Sequence, residues 1–104
     1  MGEFRVEFLP AAAKDLEKVA SELRPLLLRE IKANLEKAPF PRGKIIKKLH
    51  GFRIPTYELK IIHGGLSYRV VYRIEGHKVL ILMIPPRKEL KRRLKKPSKR
   101  VDNG

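Results

Sequence analysis

Hydrophobic and polar residues alternate at the start of the chain. In "FRVEFL", Phe4, Val6 and Phe8 are separated by Arg5 and Glu7, the two-residue period of a strand with one buried face. The period then changes. Pro10 suits a first helical turn. "AAAKDLEKVASEL" places Leu16, Val19, Ala20 and Leu23 at helical spacing, with lysines and glutamates opposite. Pro25 is expected to break this helix. "LLLREIKANLEKA" repeats the pattern with Leu27, Leu28, Ile31 and Leu35, and Pro39 and Pro41 close it.

Residues 40–55, "FPRGKIIKKLHGFRIP", read as an irregular basic connector. Three strand candidates follow: "TYELKII", "LSYRVVYRI" and "KVLILMI". Gly64-Gly65 separates the first pair and Gly76-His77 the second. Both are hairpin signals, because glycine accepts the positive φ that tight turns need. Pro85-Pro86 ends the last strand. "RKELKRRLKK" predicts a short basic helix with Leu90 and Leu94, and "PSKRVDNG" a disordered tail. The expected class is α+β: an N-terminal strand, a two-helix hairpin, a three-stranded antiparallel meander forming one sheet, and a short basic C-terminal helix. A length of 104 residues fits one domain, assigned to 1–94, with a basic tail over 95–104.

The turns imply a register. With Gly64-Gly65 as the loop, Ile61 faces Tyr68, Leu59 faces Val70 and Tyr57 faces Tyr72, a core face for the helices to cover. The other face carries Glu58, Lys60, Arg69, Val71 and Arg73, and Lys60 stands directly opposite Arg69. Like charges across a strand pair are destabilising, a cost that an anionic ligand explains. With Gly76-His77 as the second loop, Arg69 faces Ile84, and Arg87 follows three residues later. Lys60, Arg69 and Arg87 are then expected to converge at one end of the sheet, with Glu58 one pleat away. A surface ion pair of Glu58 with Lys60 or Arg73, on an ordinary wet sheet face, is the other reading of these residues.

Charge sharpens the picture. The formal net charge is +14. Residues 1–40 hold seven basic and seven acidic side chains, whereas 41–104 hold eighteen basic and four acidic. A neutral half joined to a strongly basic half points to a polyanionic partner. A heat-adapted charged surface would bring glutamate along with lysine, and the second half has no matching glutamate enrichment, with three glutamates against eighteen basic residues. Cysteine is absent, which excludes disulfides and thiolate metal sites. His50, His63 and His77 are scattered, which argues against zinc. No run of eighteen apolar residues occurs, and the first residues lack a signal-peptide pattern. The expectation is a soluble cytoplasmic protein with no cofactor and no membrane partner.

Four stretches in order carry a family resemblance: "KKLHG" at 47–51, "YELK" at 57–60, "YRVVYRI" at 68–74 and "PRKEL" at 86–90. With the layout of strand, two helices and three antiparallel strands, they resemble the RelE/ParE superfamily of toxin–antitoxin toxins. The likeness runs from Phe4 to about Leu94. It implies a small toxin, monomeric when free and hetero-oligomeric with a cognate antitoxin. RelE-like members are ribosome-dependent endoribonucleases that cut mRNA, and ParE-like members poison DNA gyrase. On the RelE pattern, Lys60, Arg69 and Arg87 match site positions. Glu58 stands where a second lysine can occur, and no tyrosine follows Arg87.

The chemistry this implies is metal-free. The RNA 2′-OH attacks the adjacent phosphate, leaving a 2′,3′-cyclic phosphate and a 5′-OH. Arg69 and Arg87 suit charge stabilisation. Glu58 or Lys60 would be the base, Lys60 only as a neutral amine, which neighbouring cations favour. Arg87 is alternatively the acid. Lys44, Lys47, Lys48 and Arg73, with Lys91, Arg92 and Arg93 near the C-terminus, would supply phosphate contacts. Val71, Leu80 and Leu82 suggest an apolar groove for an antitoxin segment. A gyrase-directed toxin and a non-catalytic RNA-binding module remain the alternatives.

Overall fold

A computed structural model describes residues 3–85 and the backbone of Lys88–Glu89. The chain runs β1 (Arg5–Phe8), α1 (Pro10–Glu17), α2 (Arg24–Leu35), β2 (Ile46–Leu49), β3 (Thr56–His63), β4 (Leu66–Glu75), β5 (Lys78–Met83) and β6 (Lys88–Glu89). These form the expected α+β fold around one mixed sheet.

Pro10 opens α1, where its missing N–H costs nothing. The helix stops at Glu17, six residues short of the expected Leu23. The reason is local. Lys18 and Val19 turn back with tight bonds to the carbonyls of Asp15 and Leu16. The Arg24 guanidinium then donates to the carbonyls of Glu17, at 2.7 Å, and Val19, at 2.9 Å. A cation at a helix end satisfies carbonyls that have no partner in the helix. Pro25 therefore does not break the first helix; it lies in the first turn of α2.

The strand order is β1-β5-β4-β3-β2, with β6 pairing β4 beyond β5. β1 lies parallel to β5, and the other pairs are antiparallel. Leu27, Ile31 and Leu35 of α2 and Ala12 of α1 pack on one sheet face, against Ile46, Leu59, Ile61, Tyr68, Val70, Tyr72, Val79 and Ile81. Each of the larger side chains is worth roughly 1.5–3 kcal/mol on burial. Phe4, Val6 and Phe8 flank this core as their alternation predicts. The hydroxyl of the fully buried Tyr72 donates to the Pro39 carbonyl at 2.8 Å, tying the end of the helical segment to the sheet. The helices do not cover the opposite face, where Lys60 is exposed while Glu58, Ser67 and Val71 are buried.

The first hairpin register holds from Tyr57↔Tyr72 to His63↔Leu66, and Gly64 and Gly65 both have positive φ. The second holds only from Glu75↔Lys78 to Tyr72↔Ile81. The next pair is Val71↔Met83, so Leu82 is an extra residue and β5 bulges there. Arg69 consequently does not face Ile84, as regular pairing would require. β4 instead continues with β6, pairing Ser67 with Lys88 and Leu66 with Glu89.

Two further expectations are corrected. The supposed connector contains β2, which pairs Ile46 with Leu59 and Leu49 with Thr56. Lys88 and Glu89, expected in a helix, are strand residues. The rest of that basic segment and the tail over 95–104 lie outside the described residues. Among the described residues, no helix is long and apolar enough to cross a membrane.

Candidate active site

Lys60 and Arg69 meet on the open face. β3 and β4 place them directly opposite one another, as the Gly-Gly turn dictates. Lys60 is exposed and Arg69 half-buried. Among the described residues, Lys60 has no carboxylate within ion-pair distance.

Glu58 lies one pleat from Lys60 and is only 6% exposed. Its Oε2 is 3.7 Å from Arg69 Nε, and its Oε1 is 3.8 Å from Lys47 Nζ. The anticipated pairing with Lys60 or Arg73 does not occur. Arg69 is its diagonal cross-strand neighbour, a distance long side chains span. Lys47 is its direct partner across β2 and β3. Arg73 turns instead to Glu75, at 4.0 Å.

The basic connector residues divide. Lys47 shares the open face with Glu58, but Lys48 pairs with Tyr57 and so belongs to the opposite face. Lys44 lies in the exposed turn before β2. Gly43, Lys44, Ile45, Lys47, Glu58 and Lys60 line a cleft of about 230 Å³. The Lys60 N–H donates to the Ile45 carbonyl at 2.8 Å, which fastens this turn beside the site. Sequence reasoning named Lys47 as a phosphate contact but not as a partner of Glu58, because β2 was not recognised. Its one apolar anchor on the core side, Ile46, was the available signal.

Arg87, Lys91, Arg92 and Arg93 lie outside the described residues. The backbone of Lys88 pairs with Ser67, two residues along β4 from Arg69. A larger cavity, about 430 Å³, lies on the helix side of the sheet among Asp15, Val19, Leu23, Leu66, Tyr68 and Ile84. Lys60 and Arg69 face away from that cavity. Val71 and Leu80 share the open face, while Leu82 is the bulged residue, so the apolar groove is interrupted there. Among the described residues, no three His, Cys, Asp or Glu side chains cluster as metal ligands.

The sequence model for the ParE toxin of the type II toxin–antitoxin system, parDE, matches residues 6–91. The chain belongs to the ParE toxin family. This places it in the RelE/ParE superfamily that its motifs resemble. Solved structures agree with the fold. The RelBE2 toxin–antitoxin complex from Mycobacterium tuberculosis is similar at 25% identity and TM-score 0.63, over 79% of this chain and 88% of that one. The archaeal RelE–RelB complex from Pyrococcus horikoshii OT3 is similar at 28% identity and TM-score 0.57, over 81% and 94%. The isolated E. coli RelE toxin is similar at 25% identity and TM-score 0.59, over 88% and 94%. A search of curated proteins finds no match. In this ParE-family chain, the cationic pair and its buried glutamate are the groups that geometry assembles on the open face.

Proposed function

We propose that this ParE-family toxin is neutralised by a cognate antitoxin and, when free in the cytoplasm, cuts mRNA on translating ribosomes without a metal. The observation that carries the reading is Lys60 set directly opposite Arg69 on the open sheet face. Such a pair is unfavourable in the free protein and favourable once a phosphate lies between its members. The toxin–antitoxin complexes among the similar structures support an antitoxin partner.

In the proposed reaction the RNA 2′-OH gives its proton to solvent water as its oxygen bonds to phosphorus, and the Lys60 ammonium holds the phosphate between itself and Arg69. The bond from phosphorus to the 5′ oxygen breaks, and that oxygen takes up a proton, supplied by Arg87. Arg69 and Arg87 offset the charge that builds on the phosphorane, the largest contribution expected from such a site. Glu58 has a cation at each oxygen and acts by positioning Arg69. Lys44 and Lys47 contact flanking phosphates, and Arg73 binds further along the face. The same role is proposed for Lys91, Arg92 and Arg93, whereas Lys48 lies on the opposite face and away from this path.

A second reading follows from the matched family itself, since ParE-like members of the superfamily act on gyrase. The basic face would then bind protein. One experiment separates the two. Wild-type protein and Arg69→Ala are added to a cell-free translation reaction, and mRNA 5′ ends are mapped by primer extension. The proposal expects cuts that need both translating ribosomes and Arg69. Intact mRNA with wild-type protein, together with inhibition of gyrase supercoiling, would replace it with the second reading.

A further inference from the structure

Glu58 is the one acidic side chain among the described residues that lines the basic cleft, and it is more deeply buried than the cations beside it. Its side chain is 8% exposed, against 65% for Lys47 and 34% for Arg69. A carboxylate so placed is shielded from water and keeps its partners through direct attraction. Lys44 and Lys60 have no such partner among the described residues. Among the described residues, Lys47 and Arg69 are therefore held by an internal anion, while Lys44 and Lys60 are without one.

We infer that Glu58 is a built-in counter-anion that sets how tightly the face holds a phosphodiester backbone. The inference rests on the RNA reading above and deepens it. In the free protein Glu58 takes up Arg69 and Lys47 and relieves the repulsion between Arg69 and Lys60. A backbone phosphate entering the cleft meets Lys44 and Lys60 first. It gains Arg69 only by competing with Glu58, which makes binding weaker and less dependent on salt than four cations would allow. Glu58 is thus a specificity-determining residue: a single anion gains little, and a chain of phosphates that engages several cations at once is favoured.

The test is equilibrium binding of a fluorescent single-stranded RNA oligomer to the full chain across a series of salt concentrations. Wild type is compared with Glu58→Gln, Glu58→Ala, Arg69→Ala and the double variant Glu58→Gln/Arg69→Ala, each checked for a cooperative thermal transition. Removing the carboxylate is expected to tighten binding about 1.5- to fivefold at low salt, the scale of one partly screened ion pair. The slope of log K against log salt should steepen by about 0.7 for each phosphate newly neutralised on a single strand. The double variant should lose the gain. The alanine variant serves if the glutamine variant does not fold. Wild-type affinity and slope in the Glu58 variants, with weakened binding by Arg69→Ala, would overturn the inference and leave the proposed function standing. RNA binding unaffected by Arg69→Ala, with no gain in the Glu58 variants, would overturn both.

Discussion

Lys60 and Arg69 stand directly opposite each other across β3 and β4, yet the neighbouring Glu58 carboxylate pairs with Arg69 and not with Lys60. The asymmetry leaves Lys60 as the exposed cation and Arg69 as the held one. Neither charge is needed for the core, which lies on the other face. Removing the Lys60 charge should therefore help the fold and harm the activity. Lys60→Gln is expected to raise stability by about 0.5 kcal/mol, the size of a like-charge cross-strand penalty. The same variant should lose mRNA cleavage. Urea denaturation and the translation assay check the two effects, and a destabilised or fully active variant would contradict the assignment.

Tyr72 reaches from the sheet core to the Pro39 carbonyl. Tyr72→Phe leaves that carbonyl without its partner and is expected to cost about 1–3 kcal/mol. Burial pushes the Tyr72 phenol above its ordinary value, against a smaller opposing effect of Arg42 and with a small addition from Tyr57. The folded state thus keeps a proton that the unfolded chain releases. Stability from this source is full below about pH 10 and falls as the pH rises through the raised value. Denaturation curves between neutral and strongly alkaline pH should show a steeper loss for wild type than for Tyr72→Phe. Parallel curves would rule out Tyr72 as the source.

Gly65 has φ +79°, and no heavy atom lies within 4 Å of where its Cβ would be. The cost of a side chain there is purely conformational, about 1 kcal/mol for alanine in a left-handed position. Gly65→Ala should lose that much in chemical denaturation. Gly64→Asn should lose less, because asparagine tolerates this region. Equal stability of all three proteins would mean the turn is not the one described.

Asp15 of α1 accepts the Ile84 N–H at 2.9 Å, where the chain leaves β5 toward Arg87. Ile84 is 4% exposed, so its N–H has little access to water. Asp15→Ala is expected to cost about 1–3 kcal/mol, and Asp15→Asn, which keeps an acceptor, less. Cleavage below the melting temperature should follow the same order. An active alanine variant would show that this anchor does not position the end of β5.

Sequence alone was sufficient for the β3–β4 hairpin. Two glycines in a two-residue turn leave one register that buries Leu59, Ile61, Val70 and Tyr72 together, and a slip by one residue would expose all of them. That register also determined that Lys60 and Arg69 share the open face. The helix-forming segments were legible too, because helical spacing of Leu27, Ile31 and Leu35 has no other use. Local signals did not reach further. β2 is a four-residue edge strand with two lysines, which short-range propensity does not distinguish from a basic loop. It exists because Ile46 completes the core beside Leu59. The bulge at Leu82 and the handover from β5 to β6 depend on how three strands share β4, which no turn residue encodes. Only tertiary structure decided the partner of Glu58. Lys47 reaches it because β2 pairs with β3, and burial on the open face removes the water that would otherwise screen the attraction.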